Sequence, residues 1–244
     1  MKNPARLLLL LALFVSAAAA APRVFLAGDS TMAAKPLDLP ERGWGMALGA
    51  RLDPAVKVDN RAMNGRSTKS FLDEGRWAKL TADLAPGDFV IIQFAHNDEK
   101  KEDPKRYTDP AGSFRDNLRR FIAEARAKGA TPILATPVCR RKFDSAGKLV
   151  PTHGAYPEAV RAVAREAGAP LLELEQATAR WLQAEGDVPS RRFFMWIAPG
   201  THPKIPDGRK DDTHFSAAGA EAVASLAADE IRAQAPTLAR WLRN

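Results

Sequence analysis

Cysteine is almost absent from this sequence of 244 residues, in which Cys139 is the only one. A single thiol cannot form an intramolecular disulfide bond, so the chain is not a small secreted scaffold held by disulfides. A chain of this length buries enough of its own surface to fold without them. No recognisable motif surrounds Cys139, and we expect a buried, unreactive thiol there rather than a nucleophile.

Long hydrophobic runs are also missing. The longest one, near the N-terminus, has nine residues, fewer than the roughly 20 that cross a bilayer. Lys2 and Arg6 precede it and small, Ala-rich residues follow it, which is the layout of a cleavable secretory signal. We therefore predict a signal peptide at residues 1–21, cleaved near Ala21, and one secreted or periplasmic domain at residues 22–244 without stable membrane association. An uncleaved anchor is the alternative.

Aromatic residues make up only 7% of the chain and are not interleaved with its basic residues. The net charge of +7 falls to about +5 once the predicted signal peptide is removed. Nucleic-acid platforms combine basic and aromatic side chains, so we predict no nucleic-acid partner. A mild attraction to acidic polymers is compatible with this charge.

Histidine is scarce as well. The four histidines are His96, His153, His202 and His214, and none of them forms an H-x-x-x-H or H-E pair. Zinc enzymes commonly place ligands at such short spacings. We therefore predict no metal site and no cofactor.

Short apolar segments alternate with amphipathic ones along the rest of the chain. The apolar segments predict strands at residues 24–27, 56–60, 89–93, 132–136 and 171–174. The amphipathic segments predict helices at residues 44–52, 76–84, 113–128, 156–167, 177–184 and 217–232. Ser113 and Ser216 are candidate N-caps, and Gly129 and Gly168 are candidate stop residues. Strands that alternate with helices predict a parallel sheet covered on both faces.

Two segments, residues 99–112 and 186–213, fit neither pattern and are expected to be irregular. Long irregular segments in a compact domain are usually binding loops. Ligands of open parallel sheets bind beyond the carboxyl ends of the strands. The residues that directly follow each predicted strand are therefore the first candidates for chemistry.

Ser30 follows the first predicted strand, within the sequence G-D-S-T. A serine at such a turn can expose its hydroxyl at the sheet edge and act as a nucleophile. Met32 occupies the position of the second glycine of G-x-S-x-G, which argues against the elbow of α/β-hydrolases. Taken alone, the motif is better explained by a helix N-cap serine. Asp29 is expected to anchor this turn through backbone hydrogen bonds.

Gly65 and Asn97 follow the second and third predicted strands. A glycine lets a backbone N–H approach a ligand closely, and an asparagine amide can stabilise an oxyanion. Ordinary turn chemistry explains each of them singly.

Asp211 and His214 precede the last predicted helix. A carboxylate three residues before a histidine can accept a hydrogen bond from its Nδ1–H, which leaves Nε2 free to take a proton from a serine. Asp212 competes with Asp211 for this role, but its position next to Thr213 indicates that it faces elsewhere.

These residues are informative as a set, because acyl transfer needs a nucleophile, a base, an orienting carboxylate and oxyanion donors. The candidates for these roles are Ser30, His214, Asp211 and, for the oxyanion hole, Ser30, Gly65 and Asn97. We therefore predict a serine hydrolase of carboxylic esters.

The set resembles the SGNH (GDSL-type) hydrolases, whose four lettered positions match Ser30, Gly65, Asn97 and His214. Finer details are similar to the rhamnogalacturonan acetylesterase family: G-D-S-T at 28–31, G-R-S at 65–67, F-x-H-N-D at 94–98 and D-x-T-H at 211–214. That family usually has glycine where this chain has Ala95, which adds a methyl group beside the oxyanion site. The resemblance covers nearly all of residues 22–244. It implies a three-layer, flavodoxin-like α/β sandwich with a five-stranded parallel sheet, and metal-free removal of acetyl groups from pectic polysaccharides.

Five further residues are candidate sugar contacts: His96, Arg66, Asp98, His153 and Trp196. His96 is explained equally well as a packed, hydrogen-bonded histidine. Trp196 and the loop at residues 200–210 could stack against sugar rings, whereas Trp44 and Trp77 lie in helical segments and are expected in the core.

Alternative functions remain on the same scaffold, since fold alone does not fix the substrate. An acetylesterase monomer acting on an acetylated polysaccharide or oligosaccharide is favoured, and an acetylxylan-type esterase is close to it. A lipase, thioesterase or aryl esterase is the second hypothesis, although residues 186–213 are polar and basic, unlike an apolar lid. A carbohydrate-binding protein without activity is the third, and it predicts a missing catalytic residue, which is not observed.

Overall fold

The apolar segments predicted as strands form the central sheet of the computed structural model, which describes residues 21–243. The predicted signal peptide lies, except for Ala21, outside the described residues. The strands are β1 (Arg23–Gly28), β2 (Glu41–Arg42), β3 (Lys57–Asn60), β4 (Phe89–Gln93), β5 (Thr131–Ala135), β6 (Leu171–Leu172), β7 (Phe194–Ile197) and β8 (Arg209–Ser216). The helices are α1 (Gly45–Leu48), α2 (Thr68–Asp73), α3 (Arg76–Asp83), α4 (Ser113–Ala127), α5 (Tyr156–Ala167), α6 (Leu174–Glu185), α7 (Asp187–Ser190), α8 (Ala217–Gln234) and α9 (Pro236–Ala239).

Five strands pair in the order β3-β1-β4-β5-β6, and every pairing is parallel. Both faces of the sheet are apolar. In β1, Val24 and Leu26 pack into one core with α1, α6 and α8, while Phe25 and Ala27 pack into a second core with α2 to α5. Side chains alternate between the faces of a strand, so two-sided burial requires the continuous apolar runs seen in the sequence. The predicted three-layer α/β sandwich with a five-stranded parallel sheet is confirmed.

Helix ends agree with the predicted signals in most places. The hydroxyl of Ser216 accepts a hydrogen bond from the backbone N–H of Gly219 and caps α8. Gly168 adopts a positive φ of 54° and ends α5. The prediction that Ser113 caps α4 is wrong, because Gly112 is the cap and the Ser113 hydroxyl accepts a hydrogen bond from the N–H of Asp109.

The prediction that residues 186–213 are irregular is also wrong. This segment contains α7, β7 and most of β8, and the strands form a second, antiparallel sheet in the order β2-β8-β7. The β8 strand, with the sequence RKDDTHFS, is too polar to be recognised by hydrophobic alternation. The pairing with β7 and β2, which is remote in sequence, stabilises it. The helix α2, capped by reciprocal hydrogen bonds between Ser67 and Ser70, was not predicted either.

Two other expectations concern the interior and the membrane. Trp44, Trp77 and Cys139 are buried, as expected. Burial raises the pKa of the Cys139 thiol to about 11, which keeps it protonated at neutral pH. Each helix within residues 21–243 is too short or too polar to span a bilayer.

Candidate active site

The candidate nucleophile lies on a turn at the carboxyl end of β1. In the sheet register, Gly28 of β1 is opposite Gln93 of β4, so both strands end at the same edge. Asp29 Oδ1 accepts hydrogen bonds from the backbone N–H and hydroxyl of Thr31, at 2.9 and 2.8 Å. Asp29 therefore anchors the turn, as expected, and leaves the hydroxyl of Ser30 facing the cleft that it lines.

A buried chain of hydrogen bonds holds this turn against the core. The hydroxyl of Thr31 accepts a hydrogen bond from Gln93 Nε2, and Gln93 Oε1 accepts one from the indole N–H of Trp44, both at 2.8 Å. All three residues are fully buried or nearly so. A buried polar network of this kind fixes a single arrangement, because breaking one link leaves an unpaired polar group in the interior.

Ser30, His214 and Asp211 form one hydrogen-bonded line across the edge of the sheet. Ser30 Oγ lies 2.9 Å from His214 Nε2, and His214 Nδ1 lies 2.8 Å from Asp211 Oδ2. An ionised carboxylate has no hydrogen to donate, so Nδ1 carries the proton and Nε2 presents a lone pair to the serine hydroxyl. Ser30 and His214 are 184 positions apart in the sequence, and the position of β8 brings them together.

Asp211 is held as a carboxylate. Burial opposes its ionisation, but hydrogen bonds from the ring and backbone N–H of His214 outweigh this effect. They hold the pKa of Asp211 well below its ordinary value. Its second oxygen, Oδ1, accepts hydrogen bonds from the backbone N–H groups of Thr213 and His214 at 2.8 and 3.0 Å. Asp212 faces elsewhere, as expected, and accepts hydrogen bonds from Arg141 and Trp196 at 2.6 and 2.7 Å.

A line of alternating charges extends the triad inward. Arg209 pairs with Asp211 and, through its other amino group, with Glu41 at 2.8 Å. Glu41 also pairs at 2.7 Å with the buried ammonium of Lys35, which donates to Asn64 Oδ1 at 2.5 Å. Arg209 contacts Oδ2 of Asp211, the same oxygen that lies 2.8 Å from His214 Nδ1, so these pairs help to hold the carboxylate that orients the imidazole.

The candidate oxyanion donors lie at the ends of β3 and β4. Gly65 has a φ of 76°, a conformation that favours glycine. Asn97 Nδ2 donates to the carbonyl oxygen of Arg66 at 3.1 Å, while its Oδ1 faces Arg106 Nη1 at 3.4 Å. This arrangement fixes the orientation of the amide and leaves one N–H for a ligand. Within residues 21–243, the backbone N–H groups of Ser30 and Gly65 make no backbone hydrogen bond.

These groups line one cleft with a volume of about 400 Å³. The predicted residues in its wall are Ser30, Gly65, His96, Asn97 and His214. Sequence reasoning missed the other lining residues, which are Glu41, Asn64, Lys100, Arg106, Arg140, Arg209 and Thr213. Lys100 and Arg106 lie in the 99–112 segment, whose length and irregularity pointed to a binding loop. Arg209 lies in the 186–213 segment, for which the same expectation was made, whereas no comparable signal marked Glu41.

His96 combines features of both hypotheses made for it. Its ring is 4% exposed and its Nδ1 lies 3.2 Å from Asp29 Oδ2, as a packed, hydrogen-bonded histidine requires. It also lines the inner wall of the cleft. Burial lowers the pKa of His96 to about 4 despite the neighbouring carboxylate, so the ring is neutral at neutral pH.

The proposed sugar contact by Asp98 needs correction. Asp98 is fully buried and does not line the cleft. Its Oδ1 accepts hydrogen bonds from the Thr68 backbone at 2.9 Å, the Thr68 hydroxyl at 2.5 Å and the Thr108 hydroxyl at 2.8 Å. Asp98 therefore joins α2 to the 99–112 segment, and burial raises its pKa to about 7.

Three other candidate sugar contacts also lie outside the cleft. The Arg66 side chain pairs with Glu74 at 3.0 Å, so only its carbonyl oxygen serves the site, through Asn97. His153 lines a neighbouring cavity. Trp196 packs against the guanidinium of Arg191 at 4.3 Å and hydrogen-bonds Asp212, which leaves it no stacking role at the cleft.

Ala95 adopts a strained backbone conformation between β4 and the oxyanion residue Asn97. Its φ is 140°, and it is the one described non-glycine residue with positive φ. The family that the sequence resembles usually has glycine at this position, which fits the conformation found here. The methyl group of Ala95 is completely buried.

The chemistry available to this arrangement is that of a serine nucleophile with an imidazole base and converging N–H donors. Within residues 21–243, no group of three or more His, Cys, Asp or Glu side chains could hold a metal ion.

Known proteins match both the sequence and this architecture. The family described as "GDSL-like Lipase/Acylhydrolase family" matches residues 26–222. The rhamnogalacturonan acetylesterase RhgT of Bacillus subtilis is 42% identical over 86% of this chain and 89% of its own length. The probable rhamnogalacturonan acetylesterase YesY of the same organism is 34% identical over 87% of this chain and 93% of its own length.

A solved structure extends the match to the fold. The crystal structure of YxiM from Bacillus subtilis superposes with a TM-score of 0.73 at 28% identity. The match covers 87% of this chain and 56% of that one. Because the family match spans most of residues 21–243 and includes the strand-end positions of Ser30, Gly65 and Asn97, the chain is an enzyme of the GDSL-like lipase/acylhydrolase family.

Proposed function

We propose that this enzyme removes O-acetyl groups from a pectic polysaccharide of the rhamnogalacturonan type, with Ser30 as the nucleophile. The observation that carries the mechanism is the line from Ser30 Oγ through His214 to Asp211, with distances of 2.9 and 2.8 Å. The substrate is supported by the names of two relatives, RhgT and YesY, which match this chain over 86% and 87% of its length.

In the first step His214 Nε2 takes the hydroxyl proton as Ser30 Oγ bonds to the acetyl carbonyl carbon. The carbonyl oxygen gains negative charge, which the N–H groups of Ser30, Gly65 and Asn97 stabilise. Asp211 stabilises the imidazolium that forms. Collapse of the intermediate breaks the bond to the sugar oxygen, which receives the proton from His214 and leaves as a hydroxyl group.

The second step hydrolyses the acetyl-serine ester. His214 removes a proton from a water molecule as the water oxygen attacks the acetyl carbon. The same donors stabilise the second oxyanion, acetate leaves, and Ser30 Oγ recovers its proton from His214. Over the cycle one ester bond forms, on Ser30, and two ester bonds break, so the net reaction hydrolyses one acetyl ester with one water.

The polarity of the residues that line the cleft favours a sugar polymer over a lipid as the substrate. Its lining is largely polar, with Lys100, Arg106, Arg140 and Arg209 as cations and Glu41 as an anion. Long acyl chains bind to walls of apolar side chains, whereas every residue that lines this cleft is polar or glycine. Cationic side chains favour an acidic polysaccharide by raising its local concentration at the site.

Acetate release from acetylated rhamnogalacturonan tests the proposal, with acetylated xylan and 4-nitrophenyl esters of increasing chain length as competing substrates. We expect kcat/KM to be highest on rhamnogalacturonan and to fall as the acyl chain lengthens. Ser30→Ala should abolish release on every substrate, and Thr31→Ser, which keeps the neighbouring hydroxyl, is the matched control. A preference for xylan, or for acyl chains longer than acetyl, would contradict the proposed substrate.

The proposal includes export, since a large polysaccharide is encountered outside the cytoplasm. The motivating observation is the basic and then apolar start of the sequence. N-terminal sequencing of enzyme recovered outside the cytoplasm should begin near Pro22. Recovery of the full-length protein in the cytoplasm alone would contradict it.

A further inference from the structure

A second cavity lies beside the active-site cleft. Its volume is about 580 Å³, within the roughly 300–1,000 Å³ that ligand sites usually have. Residues of the 99–112 segment form one wall and residues 152–156 form the other. Nothing in the proposed reaction uses this cavity.

Three features connect the cavity to the cleft. Lys100 lines both of them. Arg140 of the cleft forms an ion pair with Glu99 of the cavity. The ring of His96 in the cleft lies edge-on to the ring of His153 in the cavity, with centroids 4.5 Å apart. The partition is thus one pair of side chains thick, and a ligand that extends from the cleft past Lys100 enters the cavity.

We propose that this cavity is a subsite for the sugar unit that adjoins the acetylated unit in the polysaccharide. In it, Tyr107 stacks on the sugar ring and Lys100 binds a carboxylate of the chain. The inference rests on the proposed function, because it takes the substrate to be an acidic polymer of sugars.

Tyr107 has the properties of a stacking platform. Its ring is partly exposed in the cavity wall, and its hydroxyl makes no hydrogen bond to any residue that the structure describes. The neighbouring backbone is fixed on both sides. The N–H of Tyr107 donates to the carbonyl oxygen of Asp103 at 2.8 Å, while Thr108 is held by Asp98 at 2.8 Å. A platform held in place loses little entropy when a ligand binds.

Lys100 is the cation available at the junction. No carboxylate lies within ion-pair distance of it among the described residues, whereas Arg140 is committed to Glu99. Glu102 and Asp109 also line the cavity and carry negative charge. Glu99 lines the cavity too, but it is paired with Arg140, and Lys101 is a second lining cation. An anionic group of the ligand is therefore favoured beside Lys100 rather than beside Glu102 or Asp109.

The experiment compares kcat/KM for acetate release from three substrates: 4-nitrophenyl acetate, a short acetylated rhamnogalacturonan fragment and a long one. The wild-type enzyme should be more efficient on the long fragment, because binding energy from remote sugars can be used in the transition state. Tyr107→Ala should reduce efficiency on the long fragment about 10-fold more than on the aryl ester. Tyr107→Phe, which keeps the ring, should retain most of the wild-type preference.

The lysine is tested in the same way. Lys100→Ala should raise KM for the long fragment. This increase should be smaller at high salt, because screening already weakens the attraction between Lys100 and the carboxylate in the wild-type enzyme. Lys128→Ala removes an exposed lysine at the far end of α4 and is the matched control.

The outcomes separate the two proposals. Equal losses on all substrates, or no loss on any, for Tyr107→Ala would overturn the subsite while the acetylesterase proposal stands. A wild-type enzyme that hydrolyses the aryl ester but releases no acetate from either fragment would overturn both. Thermal unfolding of each variant identifies losses that come from misfolding, in which case Tyr107→Phe and Lys100→Ala decide the outcome.

Discussion

Two pairs of aspartate and histidine flank the nucleophile turn, and they differ in what they can do. In one pair, Asp211 Oδ2 lies 2.8 Å from Nδ1 of His214. In the other, Asp29 Oδ2 lies 3.2 Å from Nδ1 of His96. Each carboxylate therefore fixes the same tautomer, with the proton on Nδ1. In the contact between carboxylate and Nδ1 the two pairs are therefore equivalent.

The second ring nitrogen distinguishes them. His214 Nε2 lies 2.9 Å from Ser30 Oγ, and its side chain is 25% exposed. His96 Nε2 is buried and has no hydrogen-bond partner among the described residues, and its side chain is 4% exposed. Pairing with an aspartate therefore does not make a histidine a general base. Contact with the nucleophile and access for the substrate decide the role.

The largest difference in activity should appear when each of the two histidines is replaced by glutamine. We expect His214→Gln to lower kcat/KM on 4-nitrophenyl acetate by about 10⁴-fold or more, because no other described side chain is hydrogen-bonded to Ser30 Oγ and able to take its proton. His96→Gln should cost less than about 10²-fold, as an effect of misplacing the turn. Steady-state kinetics of both folded variants measure the ratio. Losses of similar size would break the distinction between the pairs.

The carboxylates give the next largest effect. We expect Asp211→Asn to lower kcat by about 10²- to 10⁴-fold, since an amide favours the wrong tautomer of His214. Asp212→Asn is the matched control, because Asp212 bonds Arg141 and Trp196 instead of His214. It should change kcat by about threefold or less, while lowering stability slightly. A large loss of kcat in the control would mean that the orienting role is shared.

The candidate site residues that the sequence predicted are those marked by local sequence patterns. Ser30 and Asn97 were predicted because each follows a buried apolar strand, and Gly65 because it follows the predicted strand at residues 56–60, which ends at the same edge of the parallel sheet. Asp211 and His214 were predicted because Asp211 lies three positions before His214. The role of His96 stayed open, since its exposure and its contact with Asp29 depend on a sheet register that one strand does not specify.

The parts that were missed depend on contacts remote in sequence. Strand β8 carries His214, the proposed base, yet its charged sequence gave no strand pattern, because its stability comes from pairing with β7 and β2. The same pairing brings Arg209 and Glu41 together across 168 residues. Local sequence patterns therefore could not predict the ion pairs that link Asp211 to Arg209 and Arg209 to Glu41.

The protonation of His96 predicts a difference in stability with pH. The pKa of His96 is lowered to about 4 in the folded state, against about 6.5 for an exposed histidine. The unfolded chain therefore binds more protons between these values, and stability is lost as the pH falls from about 6.5 to about 4. The contribution of His96 to this loss is roughly 1–3 kcal/mol. Urea unfolding at pH 4.5 and 7 should show a smaller difference for His96→Gln than for the wild type.

Asp98 provides a control of opposite sign for that measurement. Burial raises its pKa to about 7, so the folded state binds more protons than the unfolded state from about pH 4 to about pH 7. Its contribution to stability is lost as the pH rises through this window. Asp98→Asn should therefore enlarge the difference in unfolding free energy between pH 7 and pH 4.5, whereas His96→Gln should reduce it. Identical pH profiles for both variants and the wild type would refute the assignments.

The smallest effect concerns Ala95, which immediately precedes His96 and has a φ of 140°. Ala95→Gly relieves backbone strain of about 1–3 kcal/mol. Two costs oppose the gain: the lost burial of one methyl group, about 0.8 kcal/mol, and the greater freedom of glycine in the unfolded chain, about 0.4–1 kcal/mol. Together these contributions span a loss of about 0.8 to a gain of about 1.8 kcal/mol, and we expect a gain near the middle of this range, about 0.5 kcal/mol, seen as a higher urea midpoint with an unchanged m-value. Asn97 is held independently by the carbonyl oxygen of Arg66, so kcat should change little. A loss of stability would mean that the buried methyl contributes more than the strain costs, and a large fall in kcat would mean that the strained turn itself positions the oxyanion donor.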